Sequence, residues 1–206
     1  MSVGAGTAMV ARRALPIIAL MLVSTACQLP YIPYVTSPSP AAVARLVDAS
    51  GRVVGEAVFV QQRRGVRLVL DVTGLTPGTK AVHIHEVGRC DPPSFESAGA
   101  HVNPAKAEHG TANPRGPHAG DLPNITVETG GRGHLEATAT RVSLEKGPTS
   151  LFDPDGSALV VHERPDDMRT DPAGDSGAPI ACGVIILGSP DKPLWRTPWR
   201  LKETRS

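Results

Sequence analysis

The chain has 206 residues, a length that suits one domain with an adequate buried core, and it contains no internal repeat. Its 21 lysines and arginines and 20 aspartates and glutamates give a formal net charge of +1 at pH 7. Residues 1–26 hold two of the 21 basic residues and no acidic one, so the remaining chain has 19 basic against 20 acidic residues, a net charge of −1. No excess of positive charge is left for a phosphate backbone, and nucleic acid is not an expected partner.

Residues 1–26 have the pattern of an export signal. Arg12 and Arg13 precede an apolar stretch that is too short to span a bilayer comfortably. The stretch ends in small residues followed by Cys27, which resembles a bacterial lipoprotein signal, although Ser24 stands where a leucine-like residue is usual. We therefore expect export to the cell envelope (periplasm or outer cell surface), with lipid on Cys27 as the membrane anchor.

Two further segments flank the expected domain, which covers 41–188. Residues 27–40 are uncharged and rich in proline, a composition typical of an extended tether. Residues 189–206 contain Trp195 and Trp199 among five lysines and arginines. This basic tail either packs on the domain, lies free, or contacts an anionic envelope surface, where aromatic rings and cations are favoured.

The central part of the chain is patterned for β-structure. Short apolar and β-branched runs alternate with turns that contain glycine, and no amphipathic helix stands out. An all-β sandwich or barrel is therefore expected. Two long segments, 87–123 and 163–180, interrupt the strands. Eight strands are predicted, in chain order 43–47, 53–60, 66–72, 81–85, 125–127, 135–142, 159–162 and 182–187.

Six of the seven histidines belong to one series that begins in the fourth predicted strand. His83 and His85 alternate, so both imidazoles point to one face of an extended chain. The long segment that follows has no strand or helix periodicity, so it needs something to order it, and metal ligation is the natural candidate. The seventh histidine, His134, is expected on a strand surface. The other members of the series are His101, His109, His118 and His162, with Asp121 among them.

These side chains suit two different metals. Four imidazoles fit a tetragonal Cu(II) site, and three imidazoles with one carboxylate make a closed tetrahedral zinc site. Six histidines and one aspartate offer seven ligands for eight positions, so one histidine would bridge both metals. His101 is the obvious bridge, because it lies between the strand pair and the later group. The count is compatible with two metals and does not require them.

Five motifs together resemble the copper/zinc superoxide dismutase family, in the order and spacing of that family. They are 83–88 (HIHEVG), 97–104 (SAGAHVNP), 118–122 (HAGDL), 161–163 (VHE) and 181–185 (ACGVI). The resemblance covers roughly 41–188. It implies an eight-stranded Greek-key barrel with two long functional loops, the first carrying the disulfide and zinc ligands and the second shaping access to copper.

The resemblance also implies the roles of individual residues. Asp166 would hydrogen-bond one ligand of each metal, and Cys90 would form a disulfide with Cys182, which leaves Cys27 free for lipid. The implied reaction is dismutation of superoxide, with His101 as the bridging histidine that also carries a proton. The implied ligands are His83, His85, His101 and His162 for copper, and His101, His109, His118 and Asp121 for zinc.

One position departs from the family. An arginine that attracts the anion usually lies three residues before the second disulfide cysteine, and here that position is Pro179. Arg164 or Arg169 in the second long segment would have to take its place. The departure keeps open a second function, a copper- and zinc-binding protein that buffers or delivers metal, and a third, a non-catalytic envelope interaction module. The sequence leaves both a monomer and a homodimer open.

Overall fold

The computed structural model describes Met1 and residues 41–188. The predicted export signal, the tether with Cys27 and the basic tail lie outside the described residues and stay predictions. Within 41–188 the only helical element is a 3₁₀ helix, Glu96–Ala98, and no helix there is long and apolar enough to cross a membrane. The strands are β1 (Ala41–Asp48), β2 (Val53–Gln62), β3 (Gly65–Val72), β4 (Gly78–Lys80), β5 (Val82–His85), β6 (Ile125–Val127), β7 (Gly133–Ala139), β8 (Ala158–His162) and β9 (Pro179–Leu187).

All nine strands form one antiparallel sheet in the order β4-β6-β7-β3-β2-β1-β9-β8-β5. The two end members, β4 and β5, are separated in the chain only by Ala81, so together they act as one strand. Its first half pairs with β6 and its second half with β8, which closes the sheet into a barrel. The prediction of an all-β barrel is confirmed. The ninth strand is β4, which precedes the fourth predicted strand (81–85) and is not among the predicted strands.

The connections follow a Greek-key path. β1, β2 and β3 are sequential antiparallel neighbours, whereas β3 leads to β4 across β7 and β6. The connection from β7 to β8 passes β6 and the β4–β5 strand in the same way. Closure leaves no long unpaired edge in this sheet, which removes the usual route to edge-to-edge aggregation.

The barrel interior is filled by alternate residues of each strand. Along β7 buried and exposed residues alternate strictly, as the period of two in an extended chain requires. Large side chains such as Phe59, Leu68 and Leu159 are fully buried in the resulting core. Every residue of β8 is buried, because its outer face is covered by Phe95 and Ala98 of the first long loop.

Several strand boundaries differ from the prediction by one or two residues, and two differ by three residues. β7 ends at Ala139 and not at 142. Val142 lies in the following turn but is buried, so in the sequence it looks like a further apolar residue of the strand. β9 begins at Pro179 and not at 182, and the second long loop therefore ends at 178. A proline is tolerated as the first residue of a strand, and here Pro179 faces His162 at an irregularity in the pairing.

The predicted disulfide is confirmed. Cys90 and Cys182 are bonded, with their Cα atoms 5.6 Å apart, and the bond ties the first long loop to β9 across 92 residues of chain. Its sulfurs lie against the small apolar cluster over the outer face of β8, which also contains Phe95 and Val160. The loop that carries most of the candidate ligands is therefore anchored covalently at its beginning.

Replacing Cys182 with serine is expected to lower the free energy of unfolding by up to about 4 to 5 kcal/mol, because a closed loop of this length restricts the unfolded chain. The loosened loop should also release zinc faster to a chelator. Chemical denaturation and zinc-release kinetics measure both effects. Cys27→Ser is the control, because it removes a cysteine and leaves the bridge intact. Equal stability and equal zinc retention in the two variants would contradict the prediction.

Candidate metal centre

The chain brings the histidines together by folding the first long loop back against β5. Ile84 donates a backbone hydrogen bond to Gly120 (2.9 Å) and accepts one from Val102 (2.9 Å). A Cβ atom on Gly120 would lie 2.2 Å from the Ile84 carbonyl oxygen, so only glycine allows this approach. The two sides of the loop are thereby held beside His83 and His85, whose side chains share the face of β5 opposite to the core residues Val82 and Ile84.

The first group of donor atoms comes from His83, His85, His101 and His162, all buried, with one donor atom of each within 4.8 Å of the others. In His85 and His162, the ring nitrogen that points away from the group is hydrogen-bonded to a backbone carbonyl. His85 donates from Nδ1 to the Gly99 carbonyl (2.8 Å), and His162 donates from Nδ1 to the Gly177 carbonyl (3.0 Å). A carbonyl oxygen only accepts, so these bonds fix the tautomer and leave Nε2 of both rings as lone-pair donors toward the shared space.

The second group surrounds Oδ1 of Asp121. Nδ1 of His101 and Nδ1 of His109 each lie 3.0 Å from this oxygen, and Nδ1 of His118 lies 3.4 Å from it and 3.3 Å from Nδ1 of His101. Zinc at its usual bond lengths of about 2.0 to 2.1 Å places tetrahedral donor atoms roughly 3.3 Å apart. The four distances between these donor atoms, 3.0 to 3.4 Å, are close to that spacing.

His101 belongs to both groups. Its Nδ1 faces Asp121, and its ring centroid lies 4.0 Å from that of His83 in the first group. On the Asp121 side, the donor atoms that all lie within 4.8 Å of one another come from His83, His101, His109 and Asp121, and His118 is not among them. We assign His83 to the first group, because its Nε2 is engaged by Asp166 and only Nδ1 is free.

Asp166 joins the two groups. Its Oδ2 accepts a hydrogen bond from Nε2 of His83 and its Oδ1 accepts one from Nε2 of His109, both at 2.9 Å and both fully buried. Asn124 holds the backbone of Asp166 with two hydrogen bonds of 2.9 Å. The sequence analysis did not single out Asn124, since a lone asparagine before a strand has no distinguishing pattern.

The electrostatics of the site favour a bound cation. Burial lowers the pKa of His83 and His85 to about 3 and that of His162 to about 4, so these rings are neutral at pH 7, the form that ligates metal. Burial alone would lower the pKa of His109, but the carboxylates of Asp121 and Asp166 raise it to about 9. A positive charge is thus stabilised between the two carboxylates, where a metal would lie.

The donor set fits copper and zinc. Nδ1 of His83 and Nδ1 of His109 are buried without a hydrogen-bond partner, although buried polar atoms are nearly always paired. Each points into one of the two groups and would be satisfied by a metal. Four imidazoles on one side and three imidazoles with a carboxylate on the other match the preferences of copper and zinc. His134 lies outside both groups, exposed on β7 and bonded to Asp71 (2.7 Å).

A cavity of about 500 Å³ opens onto the first group, and its lining includes His85, His101 and His162. Glu86 and Asp171 also line it, but no lysine or arginine within 41–188 does. The two arginines considered as substitutes are elsewhere. Arg164 pairs with Asp175 (2.9 Å) at the surface, and Arg169 lines a separate depression beside Arg115.

Comparison with known proteins identifies the class. The family model for copper/zinc superoxide dismutase matches residues 53–185, and the chain belongs to this family. The predictions of an enzyme family and of copper and zinc as its cofactors are thereby confirmed.

Three relatives illustrate the similarity. The chain is 46% identical over 144 residues to superoxide dismutase [Cu-Zn] 1 of Aquifex aeolicus, covering 69% of this chain and 85% of that one. It is 44% identical over 147 residues to superoxide dismutase [Cu-Zn] of Caulobacter vibrioides, covering 70% and 84%. The crystal structure of a SOD-like protein from Bacillus subtilis superposes with a TM-score of 0.68 at 40% identity, covering 70% of this chain and 97% of that one.

Gly174→Ala is expected to disrupt the site from outside the ligand set. A Cβ atom there would lie 1.9 Å from Oδ1 of Asp166 and 2.8 Å from Nε2 of His109, so the carboxylate must leave both rings. Loss of such an orienting partner weakens metal binding by roughly 10- to 100-fold. Titration of the metal-free protein with zinc and copper measures it.

Gly156→Ala is the matched control, because both glycines have a positive φ (+65° and +69°) but the nearest atom to a Cβ at 156 is 3.4 Å away. Both variants share the backbone cost of a left-handed alanine. Equal metal affinity in the two variants would show that Gly174 does not protect the carboxylate.

Proposed function

We propose that this protein catalyses the dismutation of superoxide to oxygen and hydrogen peroxide in the cell envelope. The copper ligands are His83, His85, His101 and His162, and the zinc ligands are His101, His109, His118 and Asp121. The observation that carries the proposal is the position of His101, which belongs both to the four-histidine group and to the group around Asp121. A protein that only stores metal has no need of a shared imidazole or of the carboxylate that links both sets.

Copper supplies the one-electron oxidation and reduction that dismutation requires. The protein itself provides the proton transfer and the orientation of the ligands. Nδ1 of His101 lies beside Asp121, so its other nitrogen, Nε2, would hold copper and, when not bound to the metal, would take up a proton and give it to the second superoxide. Two superoxide anions and two protons are consumed for each oxygen and hydrogen peroxide formed. The carbonyls of Gly99 and Gly177 hold His85 and His162 in place throughout.

The cavity supports access of a small anion to this histidine, because His101 is among the residues that line it. A second candidate function is also favoured by an observation at the same place. The cavity is lined by the carboxylates of Glu86 and Asp171 and by no cation within 41–188, and Pro179 replaces the usual arginine. A copper- and zinc-binding protein that buffers or delivers metal would need no attraction for an anion.

Metal analysis and a superoxide-consumption assay on the purified protein decide between the two. We expect both metals and a dismutase whose rate declines little as ionic strength rises, because no lysine or arginine of residues 41–188 lines the cavity. Pro179→Arg should raise the rate by roughly 10-fold at low salt and make it salt-sensitive. A fully metallated native protein that consumes no superoxide would establish the metal-binding function instead.

Glu145→Gln is the control for Pro179→Arg, because it changes the net charge by the same amount at an exposed position that does not line the cavity. If Pro179→Arg folds, keeps both metals and gains no more rate than this control, attraction of the anion is not what limits the site.

We further propose that the protein is exported and held to a membrane by lipid on Cys27. The Cys90–Cys182 disulfide supports an oxidising compartment, because such bonds rarely persist in the cytosol. With those two cysteines paired, Cys27 is the third and remaining one. More than one acyl chain gives durable attachment to a bilayer.

Mass spectrometry of the native protein tests the anchor. We expect a mature chain that begins at Cys27 and carries the mass of acyl groups, and Cys27→Ser should move the protein from the membrane fraction to the supernatant. An unmodified chain with another N-terminus would contradict the prediction.

A further inference from the structure

Asp171 lies in the second long loop, and its carboxylate faces two of the three histidines around Asp121. We infer that Asp171 is a positioning residue that orients His118 and His109 for zinc and slows the loss of zinc. The inference rests on the proposed zinc site. It assigns a role to a residue outside the ligand set.

The contacts of Asp171 are specific. Its Oδ1 accepts a hydrogen bond from the backbone N–H of His109 at 2.7 Å. The same oxygen lies 3.7 Å from Nε2 of His118, beyond a hydrogen bond but within electrostatic contact. Nδ1 of His118 faces Asp121 on the opposite side of the ring. The imidazole of His118 is therefore flanked by a carboxylate at each nitrogen.

The same arrangement occurs at His109, with Asp121 at Nδ1 and Asp166 at Nε2. Both outer carboxylates, Asp166 and Asp171, come from the second long loop. A carboxylate at Nε2 favours the tautomer that carries hydrogen there, which leaves the lone pair of Nδ1 for the metal and raises its basicity. Asp171 thus does for His118 at longer range what Asp166 does for His109.

The two carboxylates differ in exposure. The side chain of Asp166 is fully buried, whereas that of Asp171 is 50% exposed and lines the 500 Å³ cavity together with His118. Water or a chelator reaches the zinc group from this side. Asp171 therefore lies on the side of the group from which zinc would leave. Of the two outer carboxylates, it is the one whose interaction with a histidine can be replaced by solvent.

Asp171 also belongs to a short region in which the two long loops contact each other. Ala112 donates a backbone hydrogen bond to the carbonyl of Met168 (2.9 Å), and a Cβ atom on Gly110 would lie 2.2 Å from the same oxygen. The hydrogen bond from the backbone of His109 to Asp171 belongs to the same contact region and involves a proposed zinc ligand. Separation of the loops would displace His109 and His118 together.

The test compares zinc release from Asp171→Asn, Asp171→Ala and the native protein, loaded with Zn²⁺ and challenged with a chromophoric chelator. Asparagine keeps an oxygen that can accept from His109 and loses the charge beside His118. We expect zinc release to be roughly 10-fold faster in Asp171→Asn and faster still in Asp171→Ala. The visible spectrum of Co²⁺ in the same site should shift in Asp171→Asn, because the donor strength of His118 has changed.

Asp175→Asn is the control, since it removes a carboxylate from the same loop at an exposed position bonded only to Arg164. The melting temperature of each metal-free variant separates positioning from stability. Faster zinc release in Asp171→Asn with an unchanged metal-free melting temperature supports the inference. The inference is overturned if Asp171→Asn retains zinc as the native protein does and its Co²⁺ spectrum is unshifted. It is also overturned if the metal-free variant melts at a lower temperature and this loss of stability explains the faster zinc release.

The wild-type protein distinguishes this inference from the function on which it rests. A native chain that takes up no zinc overturns the proposed function and the role of Asp171 together. A native chain that binds zinc, with Asp171→Asn indistinguishable from it, overturns only the role of Asp171.

Discussion

The architecture of the site depends on one buried carboxylate, that of Asp166, shared between His83 and His109. A charge with no exposed side-chain surface is tolerated only where its lone pairs are hydrogen-bonded and a positive charge is near. Oδ1 also accepts a bond from the Met168 backbone, and Asn124 fixes the backbone of Asp166 itself. Because both ring nitrogens that Asp166 holds point away from the donor groups, the opposite nitrogens must point into them. The carboxylate therefore sets the separation and the orientation of two rings that belong to different donor groups.

The barrel supplies the rigidity that such an arrangement needs. β5 is paired with β8 on one side and with the returning loop on the other, so His83 and His85 lie on backbone that is hydrogen-bonded along both edges. The loop in turn is tied to β9 by the disulfide and covers the outer face of β8. Side chains on paired strands hold their geometry better than side chains on free loops. The loop ligands gain comparable order only because three independent contacts, covalent, apolar and hydrogen-bonded, hold them.

Much of this follows from the sequence, and the exceptions have physical reasons. The strands and the alternation of His83 and His85 are local properties of an extended chain, and the family motifs add the disulfide partner. The closure of the barrel at Ala81 does not follow from the local sequence. One continuous strand changes its pairing partner there, and its apolar pattern shows no break at that point. The contacts of Asn124 and Asp171 with the site are also beyond local pattern, since each joins segments more than 40 residues apart. The sequence also offers Arg164 and Arg169 as cations for the cavity, but neither side chain lines it in the structure.

The ligand set and the attraction of substrate are governed by different parts of the molecule. The ligands are fixed by buried hydrogen bonds, whose strength depends on short distances and exclusion of water. The approach of an anion depends on charges at the rim of the cavity, which act over about 10 Å and are screened by salt. The carboxylates of Glu86 and Asp171 line the cavity and therefore contribute negative charge to the field that an approaching anion meets. Membership of the family therefore establishes copper and zinc as the cofactors of this chain, whereas the attraction of an anion depends on the charged residues around the cavity.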